Sequence, residues 1–211
     1  YILQGVYIDI TEEKNRELKE DKLKDSLILL ARHSFIYTGD VKSIGKLCTQ
    51  IIADTLDISR AGFWLYNTNH ISCDALFTKS SQQFTSGDIL NDKDFVDFFT
   101  LLRKEPFVMA NDAPSHIYTK ELKETYLRKY HIQSLLFVPI IHNQQIIGVL
   151  SQEQTHKQRV WKKIDINFLF QVAELISLCF SLNERNLLEE EQKQKIEDLS
   201  QIVERLKSQI R

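Results

Sequence analysis

The sequence predicts an α+β fold in which helices cover a central antiparallel sheet. The strongest observation is the stretch from Ser134 to Glu153, in which two apolar, β-branched arms flank a polar turn at His142 to Gln145, as in a β-hairpin. Because both arms are apolar on both faces, they belong in the centre of a sheet that is covered on both sides. Two shorter strand patterns precede this hairpin, and a long helical stretch follows it. One cover should be helices, and the other could be a ligand pocket.

The first part of the chain predicts a strand followed by two helices. Residues 1–10 have a strand pattern, and residues 11–37 have a helical one for which Thr11 is a candidate cap. Thr38-Gly39-Asp40 interrupts the helical pattern, and Asp40 can cap the next helix. Apolar residues at helical spacing predict that this next helix runs from Val41 to Leu56.

The remaining elements alternate strands, loops and helices. The predicted order is strands at 61–66 and 70–78, a polar loop at 79–87, a helix over 93–103 capped by Asn91 or Asp92, a strand at 107–110, a helix over 119–130, the hairpin, and a helix over 162–211.

The last part of the final helix has a coiled-coil seam. Its apolar residues recur three and four positions apart: Ile196, Leu199, Val203, Leu206 and Ile210. A helix of this length needs a partner in water, and a second copy of the same helix is the simplest one. The seam therefore predicts a parallel homodimer.

Composition excludes several classes of protein. The chain has 211 residues, 43% of them hydrophobic, and a net charge of -2, which argues against nucleic-acid binding. The three cysteines are far apart, which favours free thiols in a reducing compartment. The sequence has no P-loop, GxSxG or HExxH motif and no histidine pair at metal-ligand spacing, so we expect neither an enzyme nor a metal site. No apolar run approaches the ~18 residues of a membrane span, so we expect a cytoplasmic fragment without membrane contact.

The hairpin also resembles the last hairpin of a GAF domain. The matching residues are Ser-x-x-x-Val-Pro-Ile from Ser134 and Ile-Gly-Val-Leu-x-x-Glu, which ends at Glu153. An ordered series of further motifs extends the resemblance from Leu27 to Phe180: Asn111-Asp112-Ala113, Thr119-x-Glu121-Leu122, Tyr126-Leu127, Arg159-Val160-Trp161 and Asp165. The resemblance implies a GAF fold, with terminal helices on one face of the sheet and a ligand pocket on the other.

A second resemblance concerns the N-terminus. Asp-Ile-Thr-Glu at Asp9 to Glu12 is similar to the exit of a PAS domain, where the last strand passes into a linker helix. An ordinary strand-to-helix junction is the alternative. The resulting plan is a PAS remnant at 1–10, a linker helix at 11–26, a GAF domain at 27–181 and a signalling helix at 182–211.

The GAF resemblance implies a set of ligand-binding residues, which side-chain parity assigns to one sheet face and to the elements that cover it. Helix N-termini near Asp92 and Ser115 could take a phosphate, and Glu153 could accept a hydrogen bond from an amino or guanidinium group of the ligand. Predicted strands contribute Trp64, Tyr66, Phe77, Phe137, Ser151 and Glu153; helices and loops contribute Phe98, Asn111, Asp112, Thr119, Lys123 and Tyr126.

The ligand class that we expect is a cyclic mononucleotide, cAMP before cGMP, bound non-covalently. The Asn-Lys, Phe, Asp-Glu pattern of cyclic-nucleotide GAF domains is replaced here by Gln154-Thr155, Trp161 and Asp165-Ile166. The bilin-attachment cysteine context of photoreceptors is missing, so no covalent cofactor is expected. On this hypothesis, Glu153→Ala should weaken cAMP binding and leave the fold intact.

The resemblance also implies an output domain in a bacterial PAS-GAF signalling protein. A GGDEF diguanylate cyclase is expected first and a histidine kinase second. The alternative is a dimerisation and spacer module without a ligand, in which bulky residues fill the pocket: Trp64, Phe77, Phe98 and Phe137.

Overall fold

Five α-helices surround one antiparallel sheet in the part of the chain that the structure, a computed structural model, describes, residues 11–210. The predicted strand and PAS remnant at 1–10 lie outside the described residues. The helices are α1 (Thr11–Ala31), α2 (Ser34–Thr38), α3 (Val41–Leu56), α4 (Val96–Lys104) and α5 (Lys163–Ile210). The strands are β1 (Arg60–Asn67), β2 (His70–Thr78), β3 (Gln83–Thr85), β4 (Ile89–Asn91), β5 (Val108–Ala110), β6 (Ile132–His142) and β7 (Gln145–Thr155).

The predicted hairpin lies in the middle of the sheet. The strand order is β3-β2-β1-β7-β6-β5, and β4 also pairs with β2. The turn between β6 and β7 consists of Asn143 and Gln144, whose φ angles are 49° and 64°. Positive φ at both positions is the signature of a type I′ turn, which matches the twist of a hairpin. The prediction of an α+β fold built on this hairpin is confirmed.

Helices α1, α3 and α5 cover one face of the sheet. Phe63, Leu136 and Leu150 point from the sheet into this core. Gly45 lets α3 approach the sheet closely, because a Cβ atom there would lie 2.2 Å from Cδ1 of Phe63. The opposite face packs on α4 and on the turns before β6, and it is the face that the resemblance assigned to a ligand.

Helix α5 connects this core to the C-terminal part of the chain. Contrary to the expectation that no apolar run approaches the length of a membrane span, it contains an 18-residue window that is long and apolar enough to cross a membrane by length and composition. Side chains in its first half, such as Phe168, Val172 and Ile176, are buried in the helix-covered core. This packing accounts for part of the apolar composition, since 44% of the window is buried.

Three helix predictions need correction. The pattern over 11–37 forms two helices, because Nδ1 of His33 accepts a hydrogen bond from the N–H of Phe35 (3.3 Å) and starts α2. Neither Asn91 nor Asp92 caps α4, since a 3-10 turn at Asp92–Asp94 precedes that helix. The helix predicted over 119–130 is a 3-10 turn followed by a π turn, Lys120–Leu122 and Lys123–Leu127. The loop predicted at 79–87 also contains β3.

Asp40 caps α3 as predicted, and its removal should be measurable. The Asp40 carboxylate accepts a hydrogen bond from the N–H of Ser43 (3.1 Å). Asp40→Ala should lower the free energy of unfolding by about 1 kcal/mol in urea denaturation at pH 7.

Hydrogen bonds from the side chain and the backbone N–H of Ser43 lower the pKa of Asp40 from its ordinary value of 3.8. The charge-dependent part of the stabilisation is therefore present above that value and is lost as the pH falls through the folded-state pKa. Asp40→Asn should keep most of the cap without this pH dependence; an unchanged midpoint in Asp40→Ala would contradict the assignment.

Candidate ligand site on the sheet face

Four aromatic residues form a closed cluster on the face opposite the terminal helices. We call Trp64, Phe98, Tyr126 and Phe137 the sheet-face cluster; none of them is more than 3% exposed. The ring centroids of Phe98 and Phe137 are 5.1 Å apart, and those of Trp64 and Tyr126 are 5.9 Å apart. Both pairs are edge-to-face, the arrangement that aromatic rings favour. These rings, which were predicted to wall a pocket or to fill it, contact one another.

A buried hydrogen bond orients Trp64 within the cluster. Its Nε1 donates to Oγ of Ser151 on the neighbouring strand at 2.9 Å. Gly62 leaves the space for this bond, because a Cβ atom at that position would lie 2.5 Å from Ser151 Oγ and 2.8 Å from Trp64 Nε1. The polar groups of Trp64 and Ser151 therefore satisfy each other.

Glu153 is a buried carboxylate with two partners from the chain itself. The hydroxyl of Tyr126 donates to Oε1 at 2.6 Å, and a guanidinium nitrogen of Arg60 lies 3.2 Å from Oε2. Arg60 and Glu153 are directly opposite each other on β1 and β7. The contact with Arg60 lacks hydrogen-bond geometry, so it is an ion pair in which that nitrogen and Oε2 have no hydrogen-bond partner among the described residues.

The pKa of Glu153 is raised from its ordinary value, and burial is the main cause. Desolvation raises the pKa of Glu153, while the charge of Arg60 and the hydrogen bond from Tyr126 act in the opposite direction. The pKa of Tyr126 is raised well above its ordinary value, first by burial and then by the adjacent Glu153 carboxylate. Tyr126 is therefore a hydrogen-bond donor to Glu153, and the charge of Arg60 partly offsets the effect of burial on the pKa of that carboxyl.

Polar contacts continue from Glu153 to the edge of the sheet. The guanidinium of Arg60 lies over the ring of Tyr130, 4.0 Å from its centroid. The hydroxyl of Tyr130 donates to Asp88 at 2.6 Å, and Nζ of Lys129 is 3.1 Å from the same carboxylate. Partial burial acts to raise the pKa of Asp88, but hydrogen bonds from Tyr130 and Lys129 outweigh it, and the pKa is lowered.

The structure brings together about half of the predicted ligand-binding residues. The sheet-face cluster adjoins Ser151 and Glu153, in agreement with the parity argument. Tyr66 lies at the rim, where its hydroxyl accepts a hydrogen bond from Arg103 (3.3 Å).

Two predicted residues lie elsewhere. Phe77 is on the opposite face, where it packs on Phe84 with centroids 5.0 Å apart, so it neither lines nor fills the predicted pocket. A register shift in the pairing of β1 with β2 between Phe63 and Trp64 changes the alternation across these strands. Lys123 is exposed, because the 3-10 and π turns replace the α-helical spacing that placed it beside Tyr126.

Three further predicted residues lie in the loops before β6. The hydroxyl of Thr119 is buried and donates to the carbonyl of Ala113 (2.7 Å). Oδ1 of Asn111 accepts from the N–H of Trp161 (3.0 Å), and Asp112 is exposed. The bonds of Thr119 and Asn111 hold loops together.

The predicted phosphate position at the start of α4 is taken by a side chain. Oε2 of Glu121 accepts hydrogen bonds from the N–H groups of Asp97 (3.0 Å) and Phe98 (3.3 Å). A carboxylate at a helix N-terminus uses the same donors and dipole as a bound phosphate. Asp92 instead pairs with Arg103 at 2.7 Å, and Ser115 does not begin a helix.

Arg60, Tyr130 and Glu121 are the important residues that sequence reasoning missed. The first strand was predicted to begin at Ala61, which left Arg60 out. Extending the strand by one residue would have placed Arg60 on the same face as Trp64, since alternate residues share a face. Glu153 was expected to accept a hydrogen bond from an amino or guanidinium group of a ligand; in the structure, its Oε2 lies beside the guanidinium of the chain's own Arg60.

This fold and this sheet face define a class of sensory α+β domain, and comparison with known proteins shows the family. The model of the GAF domain matches residues 40–180, and the chain belongs to the GAF family. The circadian input-output histidine kinase CikA of Synechocystis sp. is 31% identical over 104 residues, which are 49% of this chain and 14% of that protein. The chain therefore spans a small part of that relative.

Solved structures agree with the fold. A far-red absorbing dark state with bound biliverdin IXa, JSC1_58120g3, has a TM-score of 0.62 at 14% identity, over 77% of this chain and 99% of that one. The free methionine-R-sulfoxide reductase of Neisseria meningitidis, in complex with its substrate, has a TM-score of 0.58 at 15% identity, over 88% and 98%. At these identities the likeness extends to the fold alone.

Proposed function

We propose that this chain is the regulatory GAF domain of a larger, dimeric bacterial signalling protein. It catalyses no reaction itself; it changes how its terminal helices pack, and these helices act on an output domain. The observation that carries the proposal is α5, an uninterrupted helix whose first half is core of the domain and whose second half has exposed apolar residues.

Side-chain contacts couple these helices to the domain. Nδ2 of Asn183 in α5 donates to the carbonyl of Gly39 at the end of α2 (2.9 Å). Nζ of Lys19 in α1 is 2.5 Å from the buried carboxylate of Asp165 at the start of α5. A direct ion pair therefore connects α1 to the beginning of α5, so that a movement of α1 would be transmitted to α5.

The exposed side chains of α5 support a parallel homodimer. Four apolar side chains at coiled-coil spacing are 46–65% exposed in the single chain: Ile196, Leu199, Val203 and Leu206. A regular row of exposed apolar residues is typical of an interaction surface. A second copy in the same direction would bury them in pairs.

The output that we favour is a histidine kinase, because the curated relative is named as one. A diguanylate cyclase, and a PAS domain before residue 11, are proposals that rest on the resemblance alone. Both outputs are compatible with a cytoplasmic location.

A small molecule at the sheet-face cluster remains a prediction, with cAMP before cGMP. Stacking of a purine on Trp64 would require the contacts with Tyr126 and Ser151 to open. Covalent attachment of a cofactor is disfavoured by burial, which raises the pKa of the Cys73 thiol to about 12 and that of Cys179 to about 11.

A spacer module that binds no ligand is the second candidate, and the close packing of the sheet-face cluster favours it. A thermal-shift titration separates the two candidates. A ligand at 100 times its dissociation constant adds about 2.7 kcal/mol to the free energy of unfolding, so millimolar cAMP should raise the melting temperature of a cAMP sensor and leave that of a spacer unchanged.

The dimer prediction tests the main proposal. Leu199→Glu with Leu206→Glu places charges in the seam, and light scattering should then report a monomer. A matched control is Gln201→Glu with Ser208→Glu, which has the same spacing on the outer side of the helix and should stay dimeric. In the complete gene product, the seam variant should also lose regulated output. A seam variant that remains dimeric would show that α5 is not the main contact.

A further inference from the structure

A cleft lies at one end of the sheet, where β1 begins and β7 ends, and Arg60 is one of its lining residues. It has a volume of about 740 Å³ and is open to solvent. Its walls come from the start of β1, the end of β2, the residues before β6 and the residues after β7. We call it the edge cleft; its charged or imidazole side chains are Asp57, Arg60, Lys79, Lys129, His131, His156 and Lys157.

Positive charge predominates in the edge cleft. Four of its side chains are Lys or Arg, and one is acidic. Lys79 pairs with Asp57 at 2.8 Å, and Lys129 pairs with Asp88 at 3.1 Å. Among residues 13–209, Lys157 has no acidic partner. Because Arg60 also pairs with Glu153, the unpaired positive charge of the cleft is that of Lys157, after β7.

Two histidines meet at the lip of the cleft. The imidazole rings of His131 and His156 are nearly parallel, with centroids 5.1 Å apart and an interplanar angle of 23°. A backbone hydrogen bond from the N–H of His156 to the carbonyl of His131 (2.9 Å) holds them together. Both residues have positive φ, 54° and 62°, a conformation that is uncommon for residues other than glycine. The two loops thus present paired ring nitrogens beside Lys157.

Arg60 is the donor at the inner wall. Its side chain is 6% exposed and is held between Glu153 and the ring of Tyr130. Its Nη1 lies 3.2 Å from Oε2 of Glu153 in an ion pair without hydrogen-bond geometry, and the side chain also lines the cleft. A guanidinium has five N–H donors in a fixed fork, so an anion in the cleft can accept hydrogen bonds from the same group.

We propose that the edge cleft binds a compact multivalent anion, the phosphate or polycarboxylate group of a small metabolite. Arg60 and Lys157 hold the anion from opposite sides, and the imidazoles of His131 and His156 close over it. An anion at Arg60 competes with Glu153 for the same guanidinium, so occupancy of the cleft reaches Tyr126 through Glu153. The binding step does not depend on the proposed signalling role.

Isothermal titration calorimetry with two probes tests the site and distinguishes a phosphate ligand from a polycarboxylate ligand. Inorganic pyrophosphate represents phosphates, and citrate represents polycarboxylates. Saturable binding of pyrophosphate alone identifies a phosphate site, and binding of citrate alone identifies a carboxylate site. Wild-type protein that binds neither probe at concentrations up to about 10 mM would overturn the proposal, because that limit leaves less than about 3 kcal/mol of binding free energy.

Variants at the lip locate the binding. Lys157→Gln combined with His156→Asn should weaken binding roughly ten-fold, because the lysine charge and one imidazole ring are lost while asparagine tolerates the positive φ at position 156. The matched control is Lys42→Gln, which removes an exposed lysine on α3 away from the cleft. Equal weakening by the control would show non-specific screening and overturn the site.

The NMR resonances of the histidine rings distinguish binding in the edge cleft from a general stabilisation of the protein. The ring resonances of His131 and His156 should shift saturably with the probe, while those of His33 and His70, outside the cleft, stay constant. His131→Asn and His156→Asn assign the resonances. Shifts of similar size at all four histidines would contradict the proposal.

Discussion

Replacing Glu153 with alanine is expected to lower the free energy of unfolding by about 3–5 kcal/mol, because it leaves the Arg60 guanidinium buried without its counter-charge. The substitution also removes the acceptor of the Tyr126 hydroxyl. Urea denaturation followed by circular dichroism measures the effect. The sequence alone suggested that this substitution would spare the fold; burial of the pair reverses that expectation.

Two further variants show that the loss comes from the unpaired charge. Glu124→Ala removes an exposed carboxylate that pairs with Arg128 and should cost less than about 1 kcal/mol. Arg60→Met combined with Glu153→Leu removes both buried charges and should recover much of the stability lost in Glu153→Ala. If Glu153→Ala were no less stable than Glu124→Ala, the ion pair would not contribute to the fold.

Replacing Trp64 with alanine is expected to lower the free energy of unfolding by about 3–5 kcal/mol, since it leaves a cavity beneath Tyr126 and an unpaired Ser151 hydroxyl. Trp64→Phe keeps most of the ring volume, loses the Nε1 hydrogen bond, and should be clearly less damaging.

The cavity variant also tests whether the sheet face can hold a planar ligand. Indole added to Trp64→Ala should raise its melting temperature and leave that of the wild type unchanged, because the wild-type rings already fill the space. A melting temperature that does not differ between Trp64→Ala and the wild type would show that this face contributes little to stability.

The hairpin, helix α3 and the Asp40 cap could be predicted because local pattern decides them. Alternation, β-branching and turn residues specify β6 and β7 within one stretch of chain. The turns from Lys120 to Leu127 could not be predicted, because their apolar and polar residues fit an α-helix as well as they fit the observed 3-10 and π turns.

The sequence predicted which residues share the sheet face better than it predicted which residues they pair with. Parity placed Trp64, Ser151 and Glu153 together correctly, since alternation needs only the strand assignment. The partners of Glu153 and of the α4 N-terminus come from Arg60 and Glu121, which are far away in sequence. Such pairings depend on strand register and on loop conformation, neither of which a single sequence displays.

The continuity of α5 has a mechanical consequence. The helix has no break between the core residue Val172 and the seam at Leu199, so the number of residues between them sets the rotational phase of everything that follows. Each residue of an α-helix turns the chain by about 100°. Inserting one residue would rotate the seam by about 100° relative to the sheet, whereas inserting seven would return it to nearly the same orientation. In the proposed dimer, the orientation of the sheet relative to the partner helix therefore repeats with every seven residues of α5.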